Sequence, residues 1–506
     1  MSIFHKGLAL SYISLVLLGL EAVLHADPQL SSWFTEASTK YAQIYKTAAD
    51  RTAGISSTTW TGQILPTYAG VHEINYSPTW IYIKNTGLAP YVMGPWDNPN
   101  LPKNQGTANG VYRFPRTPTF PTGKTLTGMG SIGFLVDGVS IYNTADGFSY
   151  SYANSKDASP VAGIGPGDGI WNRDAWPNEK ISFDYALNHP QPSGQYHAHV
   201  TAIGVRYLLG DNVLYNDSTK QYSENTSTTV FQHSPIIGWI NDGLPLYGPY
   251  GYSDPLDTAS PVRRMISGYV QRDGTYGTAN LAISGRTSLP KWAQQSQGKI
   301  NPLTASQYGP PVSTTYELGH FSDDYDYLGD LGYTQGVTST VNGYTIRFDL
   351  NQYNVRYCKT PEFPNGTWAY FTTITEGGKP WFPYNVGRWY YGSPTAGNST
   401  TTTMNADTPL TQHYKGATST SETWNSTPVT VSGNTVTLSW NAVEGGTYQV
   451  STSTDLSNST WTPLSGTVNP AGNSGVKTET VNASYTPRKF YKLTRTGMAT
   501  YDNVGY

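Results

Sequence analysis

The sequence predicts a mainly β protein, with a large β-rich domain followed by a small C-terminal β-sandwich. Three observations carry that prediction. Aromatic and charged residues each make up 13% of the 506 residues, whereas an average soluble chain carries about 25% charged residues. The 39 tyrosines, 52 glycines and 34 prolines supply strand and turn formers, not the Ala/Glu/Lys/Leu mixture of helical bundles. Segments such as TWIYIKNTG, SIGFLVDGVSIYN, NGYTIRFDL and GTWAYFTTIT set β-formers between Gly, Asn, Asp and Pro. General disorder is excluded, because disordered chains are poor in aromatics and rich in charge.

The chain opens with His5 and Lys6, then an apolar run from Leu8 to Leu20 that continues through Val23 and Leu24 to Ala26. A charged start, an apolar segment and a small residue form the layout of a secretory signal. Residues 1–26 are therefore expected to direct export to the periplasm, the cell surface or the medium. Gly19 and Glu21 interrupt the run, and no later one reaches 18 residues, so no membrane insertion is expected once the signal is removed. Residues 27–130 read as the N-terminal part of the main domain, one helix and then strands. The helix is placed within 29–50, where Trp33, Ala37, Tyr41, Ile44 and Tyr45 share a face at helical spacing.

Strand and turn signals continue through 131–392. The stretch 393–428 is rich in Ser, Thr and Asn with few large apolar residues, and reads as a linker. Residues 429–506 return to strands at sandwich-like spacing, with Trp440 and Tyr448 as core aromatics. The net charge of −3 provides no general attraction to nucleic acid. A single cysteine, Cys358, rules out an intramolecular disulfide and a multi-thiolate zinc site.

Chemistry concentrates on histidine. His189, His197, His199 and His233 fall within one short stretch of a chain that has nine histidines. In Tyr196-His197-Ala198-His199 the two imidazoles lie two residues apart, on one face of a strand, which suits two ligands of one metal ion. His189 and His233 are the expected partners, with Asp242 as a carboxylate ligand or an orienting acceptor. Zn, Cu or Fe fits this ligand type. Asp323, Asp324, Asp326 and Asp330 form a dense acidic segment that suits Ca as a second metal, without EF-hand spacing.

Asp137-Gly138 and Asp242-Gly243 share the pattern D-G-x-x-[IL]-Y and predict two related hairpins. The Gly-rich run 163–169 reads as a loop and not a phosphate cradle, since Pro166 interrupts it. No nucleophile elbow, HExxH helix, P-loop or dinucleotide fingerprint occurs.

The strings GQYHAHV and HSPIIGWINDGLPLYGPYGY, with GFLVDGVSIYN upstream and TPEFPNGTWAYFTTITEGGKPWFPYNVGRWYYG downstream, resemble the YHYH-domain family of exported, mostly bacterial proteins. The resemblance runs from about Ser131 to Gly392 and places the family motif on Tyr196, His197, Ala198 and His199. Ala198 stands where the family has Tyr. By strand alternation it faces away from the histidines, so the pair survives. The C-terminal module resembles the fibronectin type III-like modules of secreted bacterial proteins. The family implies no established activity. The expectation is thus an exported protein that holds a divalent metal through its histidine cluster, with catalysis left open. The alternative is a non-catalytic secreted or surface protein for binding or adhesion, with carbohydrate as one candidate partner.

Overall fold

A computed structural model describes residues 27–36, 40–96, 101–102, 111–341, 343–394, 409–416, 423–442, 446–455, 460–470, 474–481, 489–498 and 501–502. The expected export signal, residues 1–26, lies outside them. The fold is mainly β. Among the described residues no helix exceeds the seven residues of Lys291–Gln297, and none is long and apolar enough to cross a membrane.

The centre is an eight-stranded sheet. Its strands are β1 (Gly133–Leu135), β2 (Ser140–Ile141), β3 (Asn188–Pro190), β4 (Tyr196–Ala198), β5 (Ile236–Ile240), β6 (Pro245–Tyr247), β7 (Val355–Cys358) and β8 (Thr367–Phe371). They lie in the order β3-β4-β2-β1-β5-β6-β8-β7. Every neighbouring pair is antiparallel except β4 with β2 and β6 with β8.

Both Asp-Gly pairs close hairpins within this sheet. Gly138 (φ +87°) and Gly243 (φ +84°) supply the left-handed conformation that the turns require. The Asp137 carboxylate accepts from the Val139 amide at 3.0 Å, and Asp242 accepts from the Leu244 amide at 3.2 Å. The same local chemistry therefore builds β1–β2 and β5–β6.

A second sheet of Thr411–Lys415, Val71–Tyr76, Trp80–Asn85 and Val111–Pro115 packs over the first, with the Tyr112 ring 3.8 Å from Phe134. Its edge strand comes from the Ser/Thr/Asn-rich stretch and pairs with Val71–Tyr76. A separate aromatic core gathers Trp171, Tyr269, Trp292, Phe321, Phe382 and Tyr384. At the C-terminus two three-stranded antiparallel sheets enclose Leu438, Trp440, Tyr448 and Val450, a small β-sandwich.

The expected helix within 29–50 does not form as one element. The described part holds two short helices, Pro28–Ser31 and Ala48–Ala53. Between them Tyr41 bridges Tyr68, while Ile44 bridges Ser57 and Met93. Trp33, Tyr41, Ile44 and Tyr45 are buried as the spacing implies, but extended pairing with neighbouring segments replaces the intrahelical ladder.

Candidate metal centre

The segment NHPQPSGQYHAH folds into the β3–β4 hairpin. Its turn closes through the Gln191 amide to the Gln195 carbonyl at 3.1 Å, with Gly194 at φ +87°. The register sets His189 directly opposite His197, so His189 is a strand residue. Ring centroids lie 4.5 Å apart for His189–His197, 4.8 Å for His197–His199 and 5.6 Å for His189–His199. All three side chains are buried, and each offers one ligand atom within 4.8 Å of the others.

The outer nitrogens fix the tautomers. His197 Nδ1 lies 3.0 Å from the Gln195 carbonyl oxygen, and His199 Nδ1 lies 2.7 Å from that of Asn143. A carbonyl only accepts, so both Nδ1 atoms carry the proton. Ser182 Oγ donates to the Glu179 carbonyl at 2.8 Å, which leaves it to accept from His189 Nδ1 at 2.8 Å. All three Nε2 atoms are then left with a free lone pair in one buried cluster. His197 Nε2 and His199 Nε2 are only 3.1 Å apart, and His189 Nε2 has no hydrogen-bond partner.

Glu179 completes the cluster. Its Oε2 lies 3.2 Å from His199 Nε2 and 3.7 Å from His189 Nε2. It ends the one-turn helix Ala175–Glu179, which Asp174 caps by accepting from the Trp176 amide at 3.0 Å. Burial pushes His189 down to about 3 and His199 down to about 4. It also holds His197 well below the usual imidazole range, with the His199 and His189 charges adding to the effect. Burial raises Glu179 to about 8, helped by Asp146 and Asp174 and opposed by Arg173. The imidazoles are thus in the neutral, ligating form, and a cation at their focus would favour the Glu179 carboxylate.

Aromatic walls hold the rings. Tyr142 stacks on His197 at 3.9 Å, while its hydroxyl donates to Gln195 Oε1 at 2.7 Å. Phe183 meets His189 edge-on at 4.6 Å. In the motif itself, Tyr196 donates its hydroxyl to Asp184 Oδ2 at 2.6 Å and meets Trp96 edge-on. Ala198 is fully buried.

Two expected ligands lie elsewhere. His233 sits against Tyr247 and Tyr252, with Nδ1 2.8 Å from the Ser234 carbonyl. Asp242 closes the β5–β6 hairpin, where Tyr370 Oη and the Gly392 amide donate to it at 2.7 and 2.8 Å. Both belong to the β5–β8 half of the sheet, while the triad belongs to the other.

The four aspartates do not converge either. Asp324 pairs with Arg286 at 2.7 Å, Asp326 faces Arg272 at 3.6 Å and Asp330 faces Lys291 at 3.6 Å. Asp323 accepts from the Asn172 amide at 2.7 Å and from Gln297 Nε2 at 2.9 Å. Each carboxylate faces a partner of its own and not a shared point.

Fold and site together define a mainly β protein with a buried histidine triad at one end of its central sheet. The family model described as YHYH protein matches residues 111–384, more than half of the chain, and the chain belongs to that family. No curated protein and no solved structure matches it significantly.

Proposed function

We propose that this YHYH protein holds a divalent metal ion on His189, His197 and His199 through their Nε2 atoms, with Glu179 as the fourth donor. The observation that carries the reading is the 3.1 Å approach of two imidazole nitrogens whose Nδ1 protons are already committed to carbonyl oxygens. Two lone pairs at that distance repel unless a cation lies between them. A tetrahedral ion bound at 2.0–2.1 Å sets its nitrogen ligands ~3.3 Å apart. Three neutral imidazoles and a carboxylate suit Zn first, with Cu or Fe fitting the same ligand types. The triad is closed to solvent and only Glu179 reaches partly outward, which favours a resident ion that ties the hairpin to Ala175–Glu179.

Further readings join this one. Residues 1–26 act as an export signal, supported by their charged start and apolar run. The C-terminal module is fibronectin type III-like, supported by its strand order: first-second-fifth in one sheet, fourth-third-sixth in the other.

Elemental analysis of the purified mature chain tests the metal reading. One equivalent of metal is expected, falling below a tenth in His197→Ala/His199→Ala while circular dichroism stays unchanged. A metal-free chain whose melting temperature ignores added Zn²⁺, Cu²⁺ and Fe²⁺ would sink it.

A further inference from the structure

A cavity of about 500 Å³ lies behind the triad, on the Nδ1 side of His199. The two share one residue: the Asn143 carbonyl accepts from His199, and Asn143 also lines the cavity. The volume falls within the roughly 300–1,000 Å³ of small-molecule pockets. One wall is the end of the Gly-rich run, Pro166 to Gly169, anchored where Ser149 donates its amide and hydroxyl to the Pro166 carbonyl.

The lining holds polar groups that the protein leaves open. Ser322 is 5% exposed and its Oγ has no hydrogen-bond partner. Gln297 Oε1 is also buried without a partner, although its Nε2 is engaged with Ile170 and Asp323. Unpaired buried groups of this kind cost stability unless something binds them. Arg388, held at Nη1 by Thr127, faces the same space as Asp323. Phe148 and Trp292 add apolar surface.

The charge pattern narrows the ligand. Asp323 already accepts from three N–H groups, the other carboxylate of the lining, Asp168, accepts from the Tyr152 amide at 2.7 Å, and among the described residues no group of three ligating side chains gathers here. The two carboxylates disfavour an anion, while Arg388 offsets one of their charges. Hydroxyl, carboxamide and opposed charges beside two rings match a neutral, hydroxyl-rich molecule with an apolar face. We propose that this cavity binds a neutral sugar of one or two rings. Ser322 Oγ, Gln297 Oε1 and the Asp323 carboxylate contact its hydroxyls, and Phe148 and Trp292 lie against its C–H face. The proposal is independent of the metal reading.

Saturation-transfer NMR on the mature chain tests it, with millimolar glucose, galactose, mannose and N-acetylglucosamine as neutral probes. Glucuronate and glucose 6-phosphate serve as charged probes. At least one neutral sugar is expected to bind better than both charged ones. Ser322→Val fills part of the cavity and breaks no bond within the protein. It should weaken binding at least tenfold with an unchanged melting temperature, and Ser322→Ala should weaken it less. His197→Ala/His199→Ala should leave sugar binding within twofold, whatever it does to metal. Absence of binding by every neutral probe would overturn the proposal. So would tighter binding of a charged probe, or affinity that Ser322→Val leaves intact.

Discussion

In one half of the central sheet, Ile141 of β2 pairs with Ala198 of β4, and His197 and His199 flank that pair. In the other half, Leu246 of β6 pairs with Tyr370 of β8, and Ala369 and Phe371 flank it. The correspondence extends outward, since His189 faces His197 across β3–β4 just as Arg356 faces Ala369 across β7–β8. Even the entry turns agree. Asp184 Oδ1 accepts from the Ala186 and Asn188 amides, and Asn351 Oδ1 accepts from those of Tyr353 and Val355. Leu187 and Asn354, just before β3 and β7, adopt φ of +63° and +67°. The two halves are the same device built twice. The difference teaches that the scaffold does not need histidines. They occur in one copy, at positions where the other copy packs Ala, Phe and Arg.

The largest expected effect comes from turning the first half into the second. His197→Ala/His199→Phe installs the residues of β8, and metal affinity is expected to fall by more than about a thousandfold with two of the four proposed ligands gone. The chain should still fold, because the β6–β8 neighbourhood already accommodates Ala and Phe. Metal titration with near-UV circular dichroism checks both parts. A variant that fails to fold would show that the two halves are not interchangeable.

The seam between the halves provides the next test. β1 and β5 cross at Phe134 opposite Trp239, with Gly133 facing Ile240 and Gly238 facing Leu135. A Cβ added at Gly133 would sit 2.5 Å from the Trp239 carbonyl oxygen, and one at Gly238 would sit 2.8 Å from that of Phe134. The obstacle is backbone in both cases, so no side chain can swing aside. Gly133→Ala is expected to cost upwards of about 3 kcal/mol and Gly238→Ala somewhat less. Urea denaturation ranks them, and equal stability with the parent at either site would break the steric account.

The twin hairpins and the sandwich were legible because their signals are local: Asp-Gly between apolar runs, and alternation around Trp440. His197 and His199 were legible for the same reason, since period-two spacing alone puts them on one face. Glu179 was not. It ends a single helical turn in AWPNE, and the position of that turn beside the triad is set by packing. His233 and Asp242 misled because closeness in sequence suggested closeness in space, whereas the chain had by then entered the second copy. The aspartates from 323 to 330 resembled a metal loop because their partners, Arg286, Arg272, Lys291 and Asn172, are distant in sequence. The helix expected within 29–50 failed for a related reason. Its apolar face is real, but bridges to Tyr68, Ser57 and Met93 use that face in extended form.

The smallest effect separates the two hairpin aspartates. Asp137 Oδ2 is buried without a partner, and burial raises this carboxyl to about 7, opposed by its hydrogen bond from Val139. Asp242 is also raised by burial, but Tyr370, Gly392 and Leu244 all donate to it and favour the carboxylate. An unfolded Asp titrates near 3.9. Between roughly pH 4 and pH 7 the native chain therefore keeps a proton on Asp137 that the unfolded chain has lost. Stability falls as pH rises through that window and then levels. Asp137→Asn removes this loss. Its stability relative to the parent should improve by about 2 kcal/mol from pH 5 to pH 8, whatever fixed cost the amide brings. Asp242→Asn should show a smaller widening, together with a loss at both pH values from the weakened Tyr370 contact. Urea midpoints of the three proteins at pH 5 and pH 8 measure it. An identical pH response of the two variants would mean that the hydrogen bonds by which these two aspartates differ do not set their charge.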